Sequence, residues 1–379
     1  MRSLRRAAVP FVLVVCSLLI FLLLLEFALR AIDYPRREIK ILCLDAIMHN
    51  VYCPNIEARV DKMYEGTFLV KINSEGMADR EYPRIKPNNT IRIALLGDSV
   101  TASIYTPNRE KFKSIWEQSL AQSLGHPVEI MNFAIDGTGT WEQLQMFHLR
   151  ARNFQPDFVV LAFYWGNDVW NNLASRDKGR ANPLKDEYTV PSWLMNIRVT
   201  HRKFIRWMWN NSTAYAFLDI LKDKIQTILD YKRALQASQK SAPVPVGVNV
   251  APEPQYDPGF AWDSDAWDLT RQLILKLKTE TEQTGARLLV FHLPALDQLE
   301  MPKPLPYSQF RSFLNQHGIA NADAFDALSG LSSQQRKGLY IGDRWHLSAK
   351  GQRFVAEESL PALKKFILAP RAVDTRQHG

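Results

Sequence analysis

The chain has 379 residues, a formal net charge of +8 and 46% hydrophobic residues, among them 10 Trp and 19 Phe. That content excludes a disordered chain, and the roughly 300 residues left after both termini are set aside suit one large domain, with or without an insertion. Seven Lys or Arg oppose Glu26, Asp33 and Glu38 in residues 1–40, so +4 of the excess lies there. It fits contact with anionic lipid headgroups, and no nucleic-acid recognition motif is visible.

Met1-Arg2-Ser3-Leu4-Arg5-Arg6 leads into an uncharged run from Ala7 to Leu25. At 1.5 Å per residue a helix of that length just crosses a bilayer. A cleaved signal peptide suits the same basic start, with small residues at Ala28 and Ala31. The length of the run favours an uncleaved single-pass anchor. Arg30, Arg36, Arg37 and Lys40 after the run nearly balance Arg2, Arg5 and Arg6 before it, so positive-inside counting does not orient it. An N-terminal segment of this type usually acts as an export signal, which places the catalytic portion outside the cytoplasm, at a bacterial inner membrane facing the periplasm. Cys16 lies in the run; Cys43 and Cys53 flank a short segment beyond it, either bonded in an oxidising compartment or two separate thiols. No Cys-x-x-Cys or His-x-x-x-His spacing occurs, so neither a metal nor another cofactor is expected.

Residues 41–90 read as strands and turns, with Asn73-Ser74-Glu75-Gly76 and Tyr82-Pro83 as turn signals. Ile91–Leu96 reads as a buried strand ending at Gly97, and Lys111–Leu124 as a helix stopped by Gly125. Val128–Ala134 and Phe158–Tyr164 read as strands around a helix at Trp141–Asn153. After Asn172 the pattern breaks: a basic, tryptophan-bearing stretch, a helix from Ala214 to Ser238 and a Pro-rich linker from Ala242 to Pro258 suggest an insertion or lid. Alternation resumes with a helix at Asp265–Thr284, a strand at Arg287–His292, a helix near Ser308–His317 and a last helix at Ser348–Phe366. Strands alternating with helices predict an α/β fold with a central parallel sheet covered on both faces.

Candidate chemistry falls at strand ends, where open parallel sheets place their sites. Ser99 follows Gly97-Asp98 after the first strand, Gly137 follows the second, Asn167 the third, and Asp343-x-x-His346 precedes the last helix. Ser99 is a candidate nucleophile, His346 its base and Asp343 the carboxylate that orients the imidazole. The Ser99 and Gly137 N–H groups with the Asn167 carboxamide supply three donors for an oxyanion hole. Each of these signals taken alone is ordinary turn chemistry; their order and placement set them apart. Asp98, Trp165 and Trp170 adjoin the set as candidate substrate contacts, and Asp98, Asp136 and Asp168 as orienting groups. His148, His201, His292 and His317 lack spaced partners and read as structural or surface residues.

With those residues the chain resembles the SGNH hydrolases, the GDSL-like esterases and lipases, over residues 91–172 and again 338–360. The resemblance implies a three-layer α/β/α sandwich of flavodoxin-like kind, Ser99, His346 and Asp343 as the triad, and Ser99, Gly137 and Asn167 as the oxyanion hole. Asn73-Ser74-Glu75-Gly76 and the single N-terminal span also look like a membrane-anchored bacterial branch linked to modification of extracellular carbohydrate. Two departures stand out. Val100-Thr101-Ala102-Ser103 lacks the glycine of the family's Thr-x-Gly, and Met77-Ala78-Asp79 lacks the branch's Phe-Arg pair.

The expected function is acyl transfer from an ester, the expected substrates being acylated, chiefly acetylated, carbohydrates or small esters, with water (esterase) or a sugar hydroxyl (O-acetyltransferase) as acceptor. Readings of other classes are a non-catalytic carbohydrate-binding or assembly protein, and a lipase or thioesterase using Phe204, Ile205, Trp207, Met208 and Trp209 as an acyl channel. The expected organisation is a cytoplasmic stub and anchor at 1–30, an extension at 31–90 packing on the catalytic domain, a hydrolase-like domain at 91–368 interrupted at roughly 173–260, and a flexible tail at 369–379.

Overall fold

The computed structural model describes residues 2–32, 41–45, 47–62, 66–188, 204–205, 207–209, 211–219, 221–222, 225, 261–300 and 306–370. The chain divides into two compact units, one of residues 1–40 and 196–254, the other of residues 41–195 and 255–379. In the first, helix α1 (Arg2–Ala31) contains Val12–Ala31, a stretch long and apolar enough to cross a membrane. Of the helix expected at Ala214–Ser238, residues 214–219, 221, 222 and 225 are described and helical. The Pro-rich linker lies outside the described residues, as does the tail beyond residue 370.

The second unit begins with two hairpins, β1 (Leu42–Asp45) with β2 (His49–Tyr52), and β3 (Ile56–Lys62) with β4 (Gly66–Ile72). A Cys43–Cys53 disulfide closes the first. Five parallel strands follow: β5 (Ile91–Leu96), β6 (Val128–Asn132), β7 (Phe158–Tyr164), β8 (Arg287–Leu293) and β9 (Ala320–Asp323), ordered β6-β5-β7-β8-β9. The order reverses between β5 and its neighbours, so their loops open onto a crevice at the carboxyl edge. Alternate side chains feed two cores. Ala94, Leu96, Leu161, Phe163 and Val290 face one side with helices Thr140–Leu149, Asp265–Gln283 and Tyr307–Gln316. Ile93, Leu95, Val160, Leu289 and Phe291 face the other with helices Phe112–Leu124 and Ala349–Leu368. This is the expected α/β/α sandwich.

The residues before the sheet are part of its packing. Val51, Tyr52, Val70, Ile72 and Met77 join the first core. Arg92, fully buried on β5, donates to the Pro83, Arg84 and Phe154 carbonyls and to Glu129. Buried Lys113 pairs with buried Asp79 at 2.7 Å. Asn73 explains the turn that follows it: its Oδ1 accepts the Glu75 and Met77 N–H groups while its Nδ2 donates to the Arg80 carbonyl. Gly76 has φ +80°, and a Cβ there would lie 3.0 Å from the Tyr52 carbonyl.

Several boundaries differ from the sequence reading. β6 ends at Asn132, not Ala134, because the Asn132 side chain bonds the Thr101 carbonyl and the Ala134 N–H and turns the chain. The helix at Thr140–Leu149 gives way to a 3-10 turn at Ala151–Phe154. Helix Asp168–Asp177 and the 3-10 turn Pro183–Lys185 run into the region expected as an insertion, and residues 173–195 group with the catalytic unit. β9 and the short helices Leu296–Leu299, Phe325–Ser329 and Ser333–Lys337 were not expected. β9 reads Ala-Asn-Ala-Asp, a short polar edge strand without the β-branched pattern that betrays central strands.

Candidate active site

Ser99 opens a single helical turn, Ser99–Ala102, directly after β5 and Gly97. Asp98 caps that turn, its Oδ1 accepting the Val100 N–H at 2.9 Å. The first N–H of a helix has no intrahelical partner, so the turn presents the Ser99 amide at its open end. Gly97 cannot carry a side chain: a Cβ would lie 2.4 Å from Thr101 Oγ1. At the far end, Ser103, where the resemblance implies a glycine, adopts the left-handed conformation, φ +47°. That conformation costs a non-glycine residue about 1–2 kcal/mol. Here the Ser103 hydroxyl donates to the Val100 carbonyl at 2.5 Å and accepts from Gln352 Nε2 at 2.7 Å, which offsets the cost. Buried Lys111 donates to the Ala102 carbonyl at 2.8 Å and holds the same end; burial lowers its pKa to about 8.

His346 reaches Ser99 from the turn before the last helix. Its Nε2 is 2.9 Å from Ser99 Oγ and its Nδ1 2.6 Å from Asp343 Oδ2. An ionised carboxylate only accepts, so Nδ1 carries the proton in that bond and Nε2 is left as the acceptor for the serine hydroxyl. Asp343 Oδ1 accepts the Trp345 and His346 N–H groups at 2.9 and 3.0 Å, which fixes the carboxylate to the turn. The turn itself is pinned: Arg344, with φ +66°, bonds Asp297 and Glu300, the Arg344 carbonyl accepts the Leu296 N–H, and Ile341 N–H donates to the His346 carbonyl. Ser348 then caps the last helix through the Gly351 N–H.

The loops after β6 and β7 are tied to the same edge. Thr138 Oγ1 donates to the Gly97 carbonyl and Asn171 Nδ2 to the Thr138 carbonyl. Gly137 is exposed with φ +69°. Asn167 stands at the N-cap position of helix Asp168–Asp177 without a side-chain cap hydrogen bond, and its Oδ1 is buried without a hydrogen-bond partner among the described residues. Asp168 Oδ2 accepts the Tyr164 N–H and shapes the turn.

The electrostatics centre on His346, whose side chain is 16% exposed. Burial acts to lower its pKa, but the hydrogen bond and charge of Asp343, with the charges of Asp98 and Asp136, outweigh it and raise the value. Burial against the opposing bonds to His346 leaves Asp343 lowered. Burial pushes fully buried Asp98 up to about 7, and raises Asp136 as well. Tyr52 of β2 donates to Asp136 Oδ1 at 2.5 Å, and the Tyr105 ring meets the His346 ring edge-on at 5.4 Å. Neither tyrosine carried a signal in the sequence: Tyr52 lies on a hairpin remote from the motifs, and Tyr105, six residues after Ser99, belongs to no pattern that marks it.

Two candidate contacts need correction. Trp165 is 1% exposed and packs among Phe163, Trp267 and Phe310, its N–H donating to His292, so it is core and not a substrate platform. Asp98 is fully buried beneath Ser99, where it caps a helix and cannot touch a substrate. Trp170 is partly exposed. His292 is structural: burial lowers its pKa to about 3. Among the described residues no group of acidic, His and Cys side chains is arranged to hold a metal.

Residues 93–359 match the family model described as GDSL-like Lipase/Acylhydrolase. The chain belongs to this family. It is an SGNH/GDSL-type carboxylic ester hydrolase, with esterase- or lipase-type activity. No curated protein matches it in sequence. Among solved structures, a lipase/acylhydrolase from Enterococcus faecalis is similar at 11% identity and a TM-score of 0.39, covering 73% of this chain and 96% of that one. A psychrotrophic esterase from Pseudoalteromonas sp. gives 11% and 0.38, with coverage of 74% and 99%. A GDSL-like lipase from Bacteroides thetaiotaomicron gives 10% and 0.35, with 73% and 89%.

Proposed function

We propose that this hydrolase is a single-pass, membrane-anchored member of the family that removes or transfers an acyl group, chiefly acetyl, on an extracytoplasmic carbohydrate. Ser99 is the nucleophile, His346 the general base and Asp343 its orienting partner. The observation that carries the assignment is the continuous relay from Asp343 Oδ2 through His346 to Ser99 Oγ, at 2.6 and 2.9 Å. His346 takes the Ser99 proton as Oγ attacks the ester carbonyl. The Ser99 and Gly137 N–H groups and the Asn167 carboxamide stabilise the oxyanion, each donor contributing about 3 kcal/mol. His346 then returns the proton to the leaving alcohol, and water or a sugar hydroxyl releases the acyl group.

The anchor is supported by Val12–Ala31, a helical stretch long and apolar enough to cross a membrane and almost wholly exposed. The domain plan adopted is an anchor, an extension at 31–90 integral to the catalytic unit, and the hydrolase domain to residue 368. Partly exposed Trp170 beside Asn167 supplies an aromatic face suited to a sugar ring. The carbohydrate preference rests on that residue and on the resemblance in the N-terminal third.

The test is p-nitrophenyl acetate turnover by the full chain in detergent, beside Ser99→Ala and His346→Ala. Loss in both variants with retained folding supports the assignment, and turnover unaffected by either removes it. Release of acetate from acetylated polysaccharide, measured against hydrolysis of long-chain esters, separates the carbohydrate reading from a lipase.

A further inference from the structure

Glu26 is the first charge after the uncharged run and belongs to the last turns of α1. Its carboxylate is engaged by residues almost two hundred positions on, within the same compact unit. Oε1 accepts the Thr213 N–H at 2.9 Å; Oε2 accepts the Ala214 N–H at 2.7 Å and the Ser212 hydroxyl at 2.9 Å. Ser212 Oγ in turn accepts the Tyr215 N–H at 3.1 Å. Glu26 and Ser212 together satisfy the first three N–H groups of the helical segment beginning at Thr213, donors a helix leaves open. They do so at the end where the helix dipole favours negative charge. Arg30, one turn along α1, closes the joint by donating to Glu26 Oε1 at 2.6 Å and to the Asn211 carbonyl at 2.9 Å.

The latch fixes residues 211–214 at the Glu26 level of α1. If α1 spans the bilayer, the run from Ala7 to Leu25 measures about 28 Å at 1.5 Å per residue, close to the hydrocarbon thickness, so Glu26 stands at the membrane–water boundary. The side chains held there are unsuited to water. Phe204 and Trp207 are 56% and 58% exposed and stack on each other, and Leu218, Leu221 and Ile225 are exposed at helical i, i+3, i+7 spacing. Arg202, Lys203, Arg206, Lys222 and Lys224 are interspersed in the sequence. Aromatic and basic residues around an apolar stripe are the composition of segments lying in a bilayer surface.

We propose that Phe204, Trp207, Leu218, Leu221 and Ile225 form a second lipid-contacting element, lying among the headgroups of the leaflet that receives the C-terminal end of α1, and that Glu26 locks this element to the anchor. The occupant of the apolar surface is an anionic bilayer. The tie to the C-terminal end of α1 and the interspersed cations favour it over a protein partner. The inference rests on the anchor reading above.

The experiment uses the full chain carrying Cys16→Ser, with one new thiol from Trp207→Cys, or from Ile85→Cys as an exposed control in the catalytic unit (84% exposed). Each is labelled with a nitrobenzoxadiazole probe and reconstituted into phosphatidylcholine–phosphatidylglycerol vesicles. The expected result is flotation with vesicles, a blue-shifted probe at position 207 lying about 5–10 Å below the headgroup surface by spin-labelled lipid quenching, and iodide quenching at position 85 alone. Flotation with equal iodide quenching at both positions overturns the second element and leaves the anchor standing. Failure to float removes the anchor, and this proposal with it. Adding Glu26→Ala to Trp207→Cys moves the probe from lipid to iodide quenching while flotation persists, and Ser212→Ala moves it part of the way. An unchanged depth in both variants overturns the latch.

Discussion

Replacing Asp343 by Asn tests the relay at its least forgiving point. Asp343 Oδ1 accepts two backbone N–H groups, at 2.9 and 3.0 Å, while Oδ2 accepts His346 Nδ1–H at 2.6 Å. In Asp343→Asn the carbonyl oxygen stays with the two backbone donors, because the NH2 group placed there would face two N–H groups. The NH2 then points at Nδ1, which must become an acceptor, and the imidazole proton moves to Nε2, facing Ser99 Oγ. A base whose acceptor nitrogen is protonated cannot take the serine proton. The expected loss is about 10⁴-fold in kcat, or roughly 5 kcal/mol on the barrier. KM changes little, since Asp343 contacts the turn and the imidazole and not the substrate. The assay is p-nitrophenyl acetate hydrolysis by the full chain across pH, with thermal unfolding as a check on folding. A fall in kcat of less than tenfold, or a loss confined to KM, refutes the tautomer argument.

Four further outcomes follow from the same geometry. The raised pKa of His346 places the acid limb of kcat/KM above pH 6.5, because the base must be neutral; a limb at or below that value counts against the three surrounding carboxylates. Asp98→Asn keeps the helix cap and removes a buried charge. The folded pKa of Asp98 is raised, so its contribution to stability is present below pH 3.8 and lost as pH rises through about 7; the variant should gain stability at pH 8, by at most about 4 kcal/mol, and its acid limb should move down. Gly137→Ala meets no atom within 4 Å, yet forces a Cβ into φ +69°, so chemical denaturation should show a loss of about 1–2 kcal/mol. Asp79→Ala strands buried Lys113 and should cost about 3–5 kcal/mol by the same measurement, whereas a cost below 1 kcal/mol would mean that the pair is not a structural tie.

The sheet was legible because its strands are nearly continuous apolar runs and its helices end at glycines such as Gly125, both features that local sequence encodes. The polar strand β9 and the early helix at Asp168 were not, since neither has a pattern separable from a loop; tertiary pairing to β8 makes the first. In the candidate site, residues next to a strand end announced themselves by position. Tyr52 did not, because nothing local links a hairpin residue to Asp136, 84 positions away. Trp165 shows the opposite error: adjacency to Asn167 suggested a platform, but its strand-end position directs it into the aromatic core.

The cluster of carboxylates around His346 has a catalytic consequence beyond orientation. Asp343, Asp98 and Asp136 each favour the imidazolium, the species that the active, neutral-imidazole enzyme forms once Ser99 has given up its proton. Their stabilisation is therefore greater in the tetrahedral state than in the resting enzyme, which is the condition for lowering a barrier. The same charges oppose the oxyanion, Asp98 among them, since it caps the end of the helical turn at which the Ser99 amide lies. Burial raises the pKa of Asp98 and so weakens that opposition. It also limits the resting cost, because Asp98, with a pKa of about 7, carries only part of its charge near neutral pH.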